Sequence, residues 1–215
     1  QDTYVELYNI LKKKQKIYLE NCQSFVIGIA KKKIQKYYRA LSMEQDRRSP
    51  HHYFNSVKEV TGKVFVDVGC AEGYSSLEII EEAKHVYLFE QDEQWLEAIR
   101  ATFEPWQDKV TIVQKYVSDH NSSREQTLDD FFNNQTNEHL FLKMDIEGAE
   151  RHALAGCNNL FQNCQKLDFA ICTYHLRDDE EVISAFLDKH NCTYINQKGF
   201  FRHKIRSVVM RGSKK

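Results

Sequence analysis

The sequence predicts an α/β fold: a mostly parallel sheet with helices on both faces, preceded by a helical N-terminal extension. Three observations predict it. From residue 63 onward, short runs of β-branched and aromatic residues alternate with stretches long enough to cross back over a sheet. The first of these runs passes directly into a glycine-bearing loop, Asp67-Val68-Gly69-Cys70-Ala71-Glu72-Gly73-Tyr74-Ser75. Residues 3–41 instead repeat apolar positions at close to helical spacing, at Tyr4, Leu7, Tyr8, Leu11, Ile34, Tyr37 and Tyr38 among others.

The chain has 215 residues, enough to bury roughly 70% of its unfolded surface around one core without staples. A composition of 41% hydrophobic and 12% aromatic residues excludes a disordered chain, and only 8 Gly and 2 Pro exclude collagen-like or linker-rich sequence. The formal net charge is -1, but residues 1–50 hold 11 Lys and Arg against 5 Asp and Glu. That basic front suits an anionic partner or an acidic surface, while the near-neutral total argues against nucleic acid as an obligatory ligand.

Cys22, Cys70, Cys157, Cys164, Cys172 and Cys192 form neither a CxxC pair nor a dense disulfide framework, so reduced thiols are expected. The apolar run Phe25 to Ala30 is far shorter than the ~20 residues of a membrane span, and the residues before it lack a signal-peptide pattern. A cytoplasmic protein is the expectation.

In chain order, residues 1–50 form the extension, with Lys12-Lys13-Lys14 and Lys31-Lys32-Lys33 on its outer face. Its tyrosine-bearing side has three destinations open to it: its own domain, the mouth of the cleft, or a second copy in a homodimer. Arg47-Arg48-Ser49-Pro50 marks the boundary, and residues 51–215 form the main domain. Strands are expected at Val64–Val68, Val86–Phe89, Val110–Val113, Leu140–Met144 and Leu167–Cys172. Helices are expected at Ser75–Lys84, Glu93–Phe103, Ala149–Phe161 and Asp179–His190. The stretch Gly199 to His203 is read as the connection between the last two strands. In such a sheet, ligands bind beyond the carboxyl ends of the strands, where strand order reverses.

The loop after the first strand is read as a nucleotide site. Gly69 and Gly73 permit a tight turn and close approach of backbone to ligand. A dinucleotide fingerprint requires glycine at 69, 71 and 74, and these positions hold Gly69, Ala71 and Tyr74; a phosphate-cradling Gly-Lys-Ser/Thr ending is also absent. What remains is a loop for a nucleoside without phosphates. S-adenosylmethionine carries a cationic sulfonium and ammonium, so acids flanking the loop make electrostatic sense. Asp67 is one, and Glu90, 21 positions after Gly69 in Phe89-Glu90-Gln91-Asp92, can accept both ribose hydroxyls. Ser118 and Asp119 follow the third strand, where an adenine edge would be read, although Ser-Asp is also ordinary turn chemistry.

With Asp67 to Ser75 and Glu90, the run Phe141-Leu142-Lys143-Met144-Asp145-Ile146-Glu147-Gly148-Ala149-Glu150 resembles the signature of the FkbM-type S-adenosylmethionine-dependent methyltransferases. Thr127-Leu128-Asp129, Thr173-Tyr174-His175 and Asp178-Asp179 extend the resemblance, which covers about residues 60–211. It implies a Rossmann-like class I methyltransferase sheet with its last strand antiparallel, and methyl transfer to a hydroxyl oxygen, often of a sugar or natural product. Carried onto this chain, it implies cofactor contacts from Asp67, Gly69, Cys70, Ala71, Gly73, Tyr74, Ser75, Glu90 and Gln91, with Ser118 and Asp119 flanking adenine. Two departures are Ala71, where many relatives have glycine, and Thr173, where some have an acid.

Strand alternation puts Lys143, Asp145 and Glu147 on one side if the extended conformation persists. Such a cluster is either structural pairing or catalytic machinery. A hydroxyl acceptor must lose its proton, and Asp145 or His175 can take it, His175 having the ordinary acidity nearer neutrality. Lys143 then orients Asp145 or stabilises alkoxide charge. No HxH or HExxH spacing accompanies His51-His52, His175 and His203, so no metal is assigned from sequence. The leading reading is an O-methyltransferase acting on a small molecule or glycan. The alternatives are a nonenzymatic S-adenosylmethionine-binding module with a basic partner-binding extension, and an RNA methyltransferase.

Overall fold

The computed structural model describes residues 35–36, 39–133, 138–201 and 204–214, with residue 201 described by its backbone alone. The extension's lysine triplets, its tyrosine face and the pairing of two chains through it lie outside these residues, as do Cys22, Arg202 and His203. Residues 39–44 are helical.

The strands in chain order are β1 (Val64–Val68), β2 (His85–Phe89), β3 (Val110–Val113), β4 (Tyr116–Val117), β5 (Glu125–Gln126), β6 (His139–Met144), β7 (Lys166–Cys172), β8 (Thr193–Phe201) and β9 (Lys204–Lys214). Seven make one sheet in the order β3-β2-β1-β6-β7-β9-β8, and β4 pairs with β5 in a separate ribbon. The pairings among β1, β2, β3, β6 and β7 are parallel. The last strand, β9, runs antiparallel between β7 and β8. The expected α/β class, a mostly parallel sheet with its last strand antiparallel, is the class observed.

Every residue of β1 is buried, as expected of a central parallel strand covered on both faces. Alternation then splits the core. Val64, Val66, Val68, Leu142, Met144 and Phe169 face one layer, and Phe65, Phe141, Ala170 and Cys172 face the other, which also receives Tyr53 and Phe54 from just after Pro50. Among the described residues, no helix is long and apolar enough to cross a membrane. The described cysteines, Cys70, Cys157, Cys164, Cys172 and Cys192, are free.

The helices are α1 (Tyr74–Ile79), α2 (Glu93–Phe103), α3 (Leu128–Phe131), α4 (Glu150–Ala155), α5 (Asn158–Asn163) and α6 (Asp179–Lys189). Besides shifts of a residue or so at element ends, three expected stretches differ from the structure. The helix expected over Ser75–Lys84 stops at Ile79, where Glu82 and Ala83 both donate backbone N–H groups to the Ile79 carbonyl and turn the chain back toward β2. The helix expected over Ala149–Phe161 is broken at Gly156, where a Cβ would collide with the Ser118 carbonyl oxygen. Gly199 and Phe200 belong to β8 rather than to a connection, because Gly199 pairs with Arg206 and Phe200 with Ile205.

Strand order reverses between β1 and β6, the former leading to β2 and β3 and the latter to β7. The carboxyl ends of β1 and β6 therefore flank the crevice where an open α/β sheet takes its ligands.

Candidate active site

The crevice begins where Val68 and Met144 end their register, so that Gly69 and Asp145 leave the sheet side by side. Gly69 has φ 78, and a Cβ there would strike the Asp145 carbonyl oxygen. Both features demand glycine. Gly73, at φ 77, caps α1, and a Cβ on it would press into the Phe103 ring. Ala71 holds φ 44, a left-handed conformation that costs an L-residue roughly 1–2 kcal/mol. The backbone thus keeps a glycine-like shape at position 71 despite the alanine.

A cavity of about 220 Å³ opens over this loop, lined by Gly69 to Glu72, Tyr74 and Ser75, with Tyr53, Lys143 and Asp145 beside them. Leu41, Glu44 and Gln45 also line it, so the described end of the extension lies against the cleft. Burial raises the Glu72 carboxyl above its ordinary value.

Asp67 does not line this cavity. It is 1% exposed, pairing through Oδ1 with Lys143 Nζ at 2.8 Å and accepting from Ser76 Oγ at 2.6 Å through Oδ2. The carboxylate expected to face a cationic donor is instead turned onto Lys143 and the start of α1. Lys143, opposite Asp67 in register, also donates to the Gly69 carbonyl at 2.7 Å and sits 5.3 Å from the centre of the Tyr53 ring. Burial alone would lower the Lys143 ammonium, but the charges of Asp67 and Asp145 outweigh it and raise it. This lysine therefore ties β1, the loop and β6 together as a cation.

Glu90 touches the loop itself. Its Oε2 accepts the Ala71 N–H at 3.0 Å and its Oε1 the Asp92 N–H at 2.8 Å. Each oxygen retains a lone pair, so the carboxylate is oriented and still able to accept a ribose hydroxyl. Gly73, Glu90, Gln91, Ser118 and Asp119 are not among the cavity's lining residues. Asp119 is held at the surface by His120 at 2.7 Å and His152 at 3.4 Å.

A second cluster forms at the ends of β6 and β7. Tyr53 donates to Asp145 Oδ2 at 2.6 Å. His175 Nε2 lies 3.5 Å from Asp145 Oδ1 and 3.6 Å from Glu147 Oε2, and His175 Nδ1 lies 2.9 Å from Glu150 Oε1. Glu150 is fully buried and also accepts the Ile146 N–H at 2.9 Å. The extended conformation does not persist to Glu147: β6 ends at Met144 and Glu147 has φ 56, yet the turn still brings its carboxylate to the imidazole. Burial would lift the Asp145 carboxyl, but Lys143 and Tyr53 outweigh it and hold it below its ordinary value. Burial would likewise lower the His175 imidazole, and the adjacent Glu150 carboxylate, with Asp145 and Glu147, raises it instead.

The structure therefore gathers Gly69, Cys70, Ala71, Tyr74, Ser75, Lys143 and Asp145 around one cavity, and joins His175 and Glu147 to it through Asp145. Sequence reading assigned no role to Tyr53, His51, Glu44, Ser76 or Glu150. Glu150 lay within the recognised run, whereas nothing in the sequence around Tyr53 signals that it reaches β6. His51 meets Tyr174 ring to ring at 5.0 Å, and its Nδ1 lies 3.0 Å from Glu44.

Other residues of the recognised run are structural. Asp129 accepts the Asn159 and Leu160 N–H groups at the start of α5. Asp178 and Asp179 pair with Arg151. Thr173 hydrogen-bonds Ser207 on β9.

Sheet order, the antiparallel β9 and a glycine loop at the reversal of strand order define the class I methyltransferase fold. A methyltransferase FkbM of Methylobacillus flagellatus superposes with a TM-score of 0.57 at 19% identity, over 70% of this chain and 43% of that one. A putative methyltransferase of Streptococcus mutans, crystallised in complex with SAH, superposes with a TM-score of 0.52 at 14% identity, over 74% of this chain and 93% of that one. The chain thus spans less than half the length of the Methylobacillus protein. The profile of the methyltransferase FkbM domain matches residues 14–195, and the chain belongs to that family. No curated protein matches the sequence.

Proposed function

We propose that this protein binds S-adenosylmethionine in the cavity over Gly69 to Ser75 and methylates a hydroxyl oxygen of a sugar, glycan or other small molecule. The observation that carries the reading is the meeting of the glycine loop and Asp145 in one cavity, with Glu90 tied to the loop's backbone behind it and His175 beside Asp145. The residues fit the group. Glu44, Glu72 and Asp145 line the cavity against one cation, Lys143, which is already paired with Asp67. That excess of acid suits a donor with a net positive charge. When bound, the cofactor supplies a methyl group on a cationic sulfur.

The protein's own part is placement and proton handling. The loop and Glu90 fix the donor, so that the acceptor oxygen and the methyl carbon meet in line. Tyr53 holds one oxygen of Asp145, and the other shares the acceptor's proton with His175. Lys143 keeps Asp145 ionised. The near-neutral chain and the family membership favour this reading over an RNA substrate or a nonenzymatic module.

Calorimetry against S-adenosylmethionine and NAD tests the cofactor, with saturable binding of the former alone expected. A labelled-methyl assay against glycans and RNA tests the acceptor, with transfer to glycan hydroxyls expected. Under saturating cofactor, His175→Ala and Asp145→Asn are expected to lower kcat by roughly 10²–10⁴. Wild-type turnover in both would remove them as bases.

A further inference from the structure

We propose that Asp145, Glu150 and His175 form a binding site for a divalent transition cation of the Mn²⁺, Co²⁺ or Zn²⁺ type. Spacing along the chain assigns no metal, but the fold brings the ends of β6 and β7 together. Asp145, Glu150 and His175 offer donor atoms that all lie within 4.8 Å of one another.

The separations distinguish a metal site from a hydrogen-bonded one. Asp145 Oδ1 and His175 Nε2 are both buried, neither makes a hydrogen bond, and they stand 3.5 Å apart. Glu147 Oε2 stands 3.6 Å from the same nitrogen. These gaps are too long for good hydrogen bonds. They match the spacing of ligands that each lie about 2.0–2.2 Å from one tetrahedral ion.

The surroundings are those of a prepared ligand set. Glu150 stands 2.9 Å from His175 Nδ1 through Oε1, and its Oε2 is buried without a hydrogen-bond partner. Tyr53 holds Asp145 Oδ2, fixing that carboxylate with Oδ1 toward the imidazole. Glu147 has an exposed side chain and stands on the solvent side of His175. One imidazole with carboxylates suits the borderline transition ions better than Mg²⁺, which prefers oxygen alone. A second grouping of His51, Asp145 and Cys172 is a poorer choice, because burial raises the Cys172 thiol well above its ordinary value and keeps it protonated.

The site shares Asp145 and His175 with the proton handling proposed above but needs no residue of the cofactor loop. When an ion occupies it, His175 Nε2 is a ligand and no longer a base, and an acceptor hydroxyl that joins the ion is made more acidic by the ion itself.

The test uses the full chain stripped with chelator. Mn²⁺ is titrated by electron paramagnetic resonance and Co²⁺ by visible absorption, without S-adenosylmethionine. One ion per chain is expected, with Co²⁺ bands that report nitrogen and oxygen ligation. Asp145→Asn, His175→Gln and Glu150→Gln should each weaken binding by roughly tenfold or more. Circular dichroism identifies any variant that fails to fold, and His175→Gln serves if Asp145→Asn does not. Absence of saturable binding of Mn²⁺, Co²⁺ and Zn²⁺ to the wild type, or undiminished binding in the folded variants, overturns the proposal. S-adenosylmethionine is titrated separately: its failure to bind while Mn²⁺ still binds would sink the methyl-transfer reading and leave the metal site standing.

Discussion

Tyr53 donates its hydroxyl to Asp145 at 2.6 Å across 92 positions of sequence, and the two side chains line the same cavity. Tyr53 is 3% exposed, and its burial raises its own hydroxyl well above the ordinary value, so it remains a donor at any physiological pH. One hydrogen bond thus joins the residues just after Pro50 to the carboxyl end of β6.

Removing that hydroxyl leaves a buried carboxylate oxygen without its donor. Tyr53→Phe is therefore expected to cost about 1–3 kcal/mol, read as a lower urea midpoint at unchanged slope. A midpoint equal to the wild type's would mean that water replaces the hydroxyl.

Lys143 is the buried cation between Asp67 and Asp145. Lys143→Met strips both carboxylates of their partner and is expected to destabilise by about 3–5 kcal/mol in chemical denaturation. The double variant Asp67→Asn/Lys143→Met should lose less than the sum of the single changes, because each single change leaves the other charge buried. Additive losses would argue against the pairing.

Gly69 has no room for a side chain. Gly69→Ala is expected to lose roughly 1–3 kcal/mol to backbone strain alone, with the collision at the Asp145 carbonyl adding to it. Calorimetry should find S-adenosylmethionine binding lost with it, and retention at wild-type affinity would show that the loop adjusts.

His120 and Asp119 form an exposed pair at 2.7 Å. The hydrogen bond to His120 lowers the Asp119 carboxyl, and the same bond raises the His120 imidazole. A raised imidazole contributes stability below its unfolded value and loses it as pH rises through the folded one; a lowered carboxyl contributes above its unfolded value and loses it as pH falls through the folded one. Both contributions are in place between the ordinary values of 3.8 and 6.5. Nuclear magnetic resonance should show His120 titrating above 6.5, and Asp119→Asn should bring its midpoint down.

The fold was largely legible in the chain. β1 and β3 fall at the expected residues, β2, β6 and β7 each begin one residue earlier than expected, and α2 matches its expected bounds. Runs of apolar residues with a period of two or of 3.6 are local properties, and a sheet buried on both faces leaves little else for them to form. Position 156 was not legible, because the reason for its glycine is a carbonyl near residue 118. The positions of the loop and of Asp145 could be read from motifs. The role of Asp67 could not, since its partner, Lys143, is set by the register of β1 against β6.

By itself, then, the sequence determined the α/β class, the order of its main elements, and the loop and strand ends at which chemistry gathers. Only the tertiary structure decided which polar groups meet: Asp67 with Lys143, and Asp145 with Tyr53 and His175. The physical reason is range. Propensity and periodicity act over a few residues, whereas the pairing of buried charges depends on distances of a few ångströms between segments that the sheet's register and crossovers bring together.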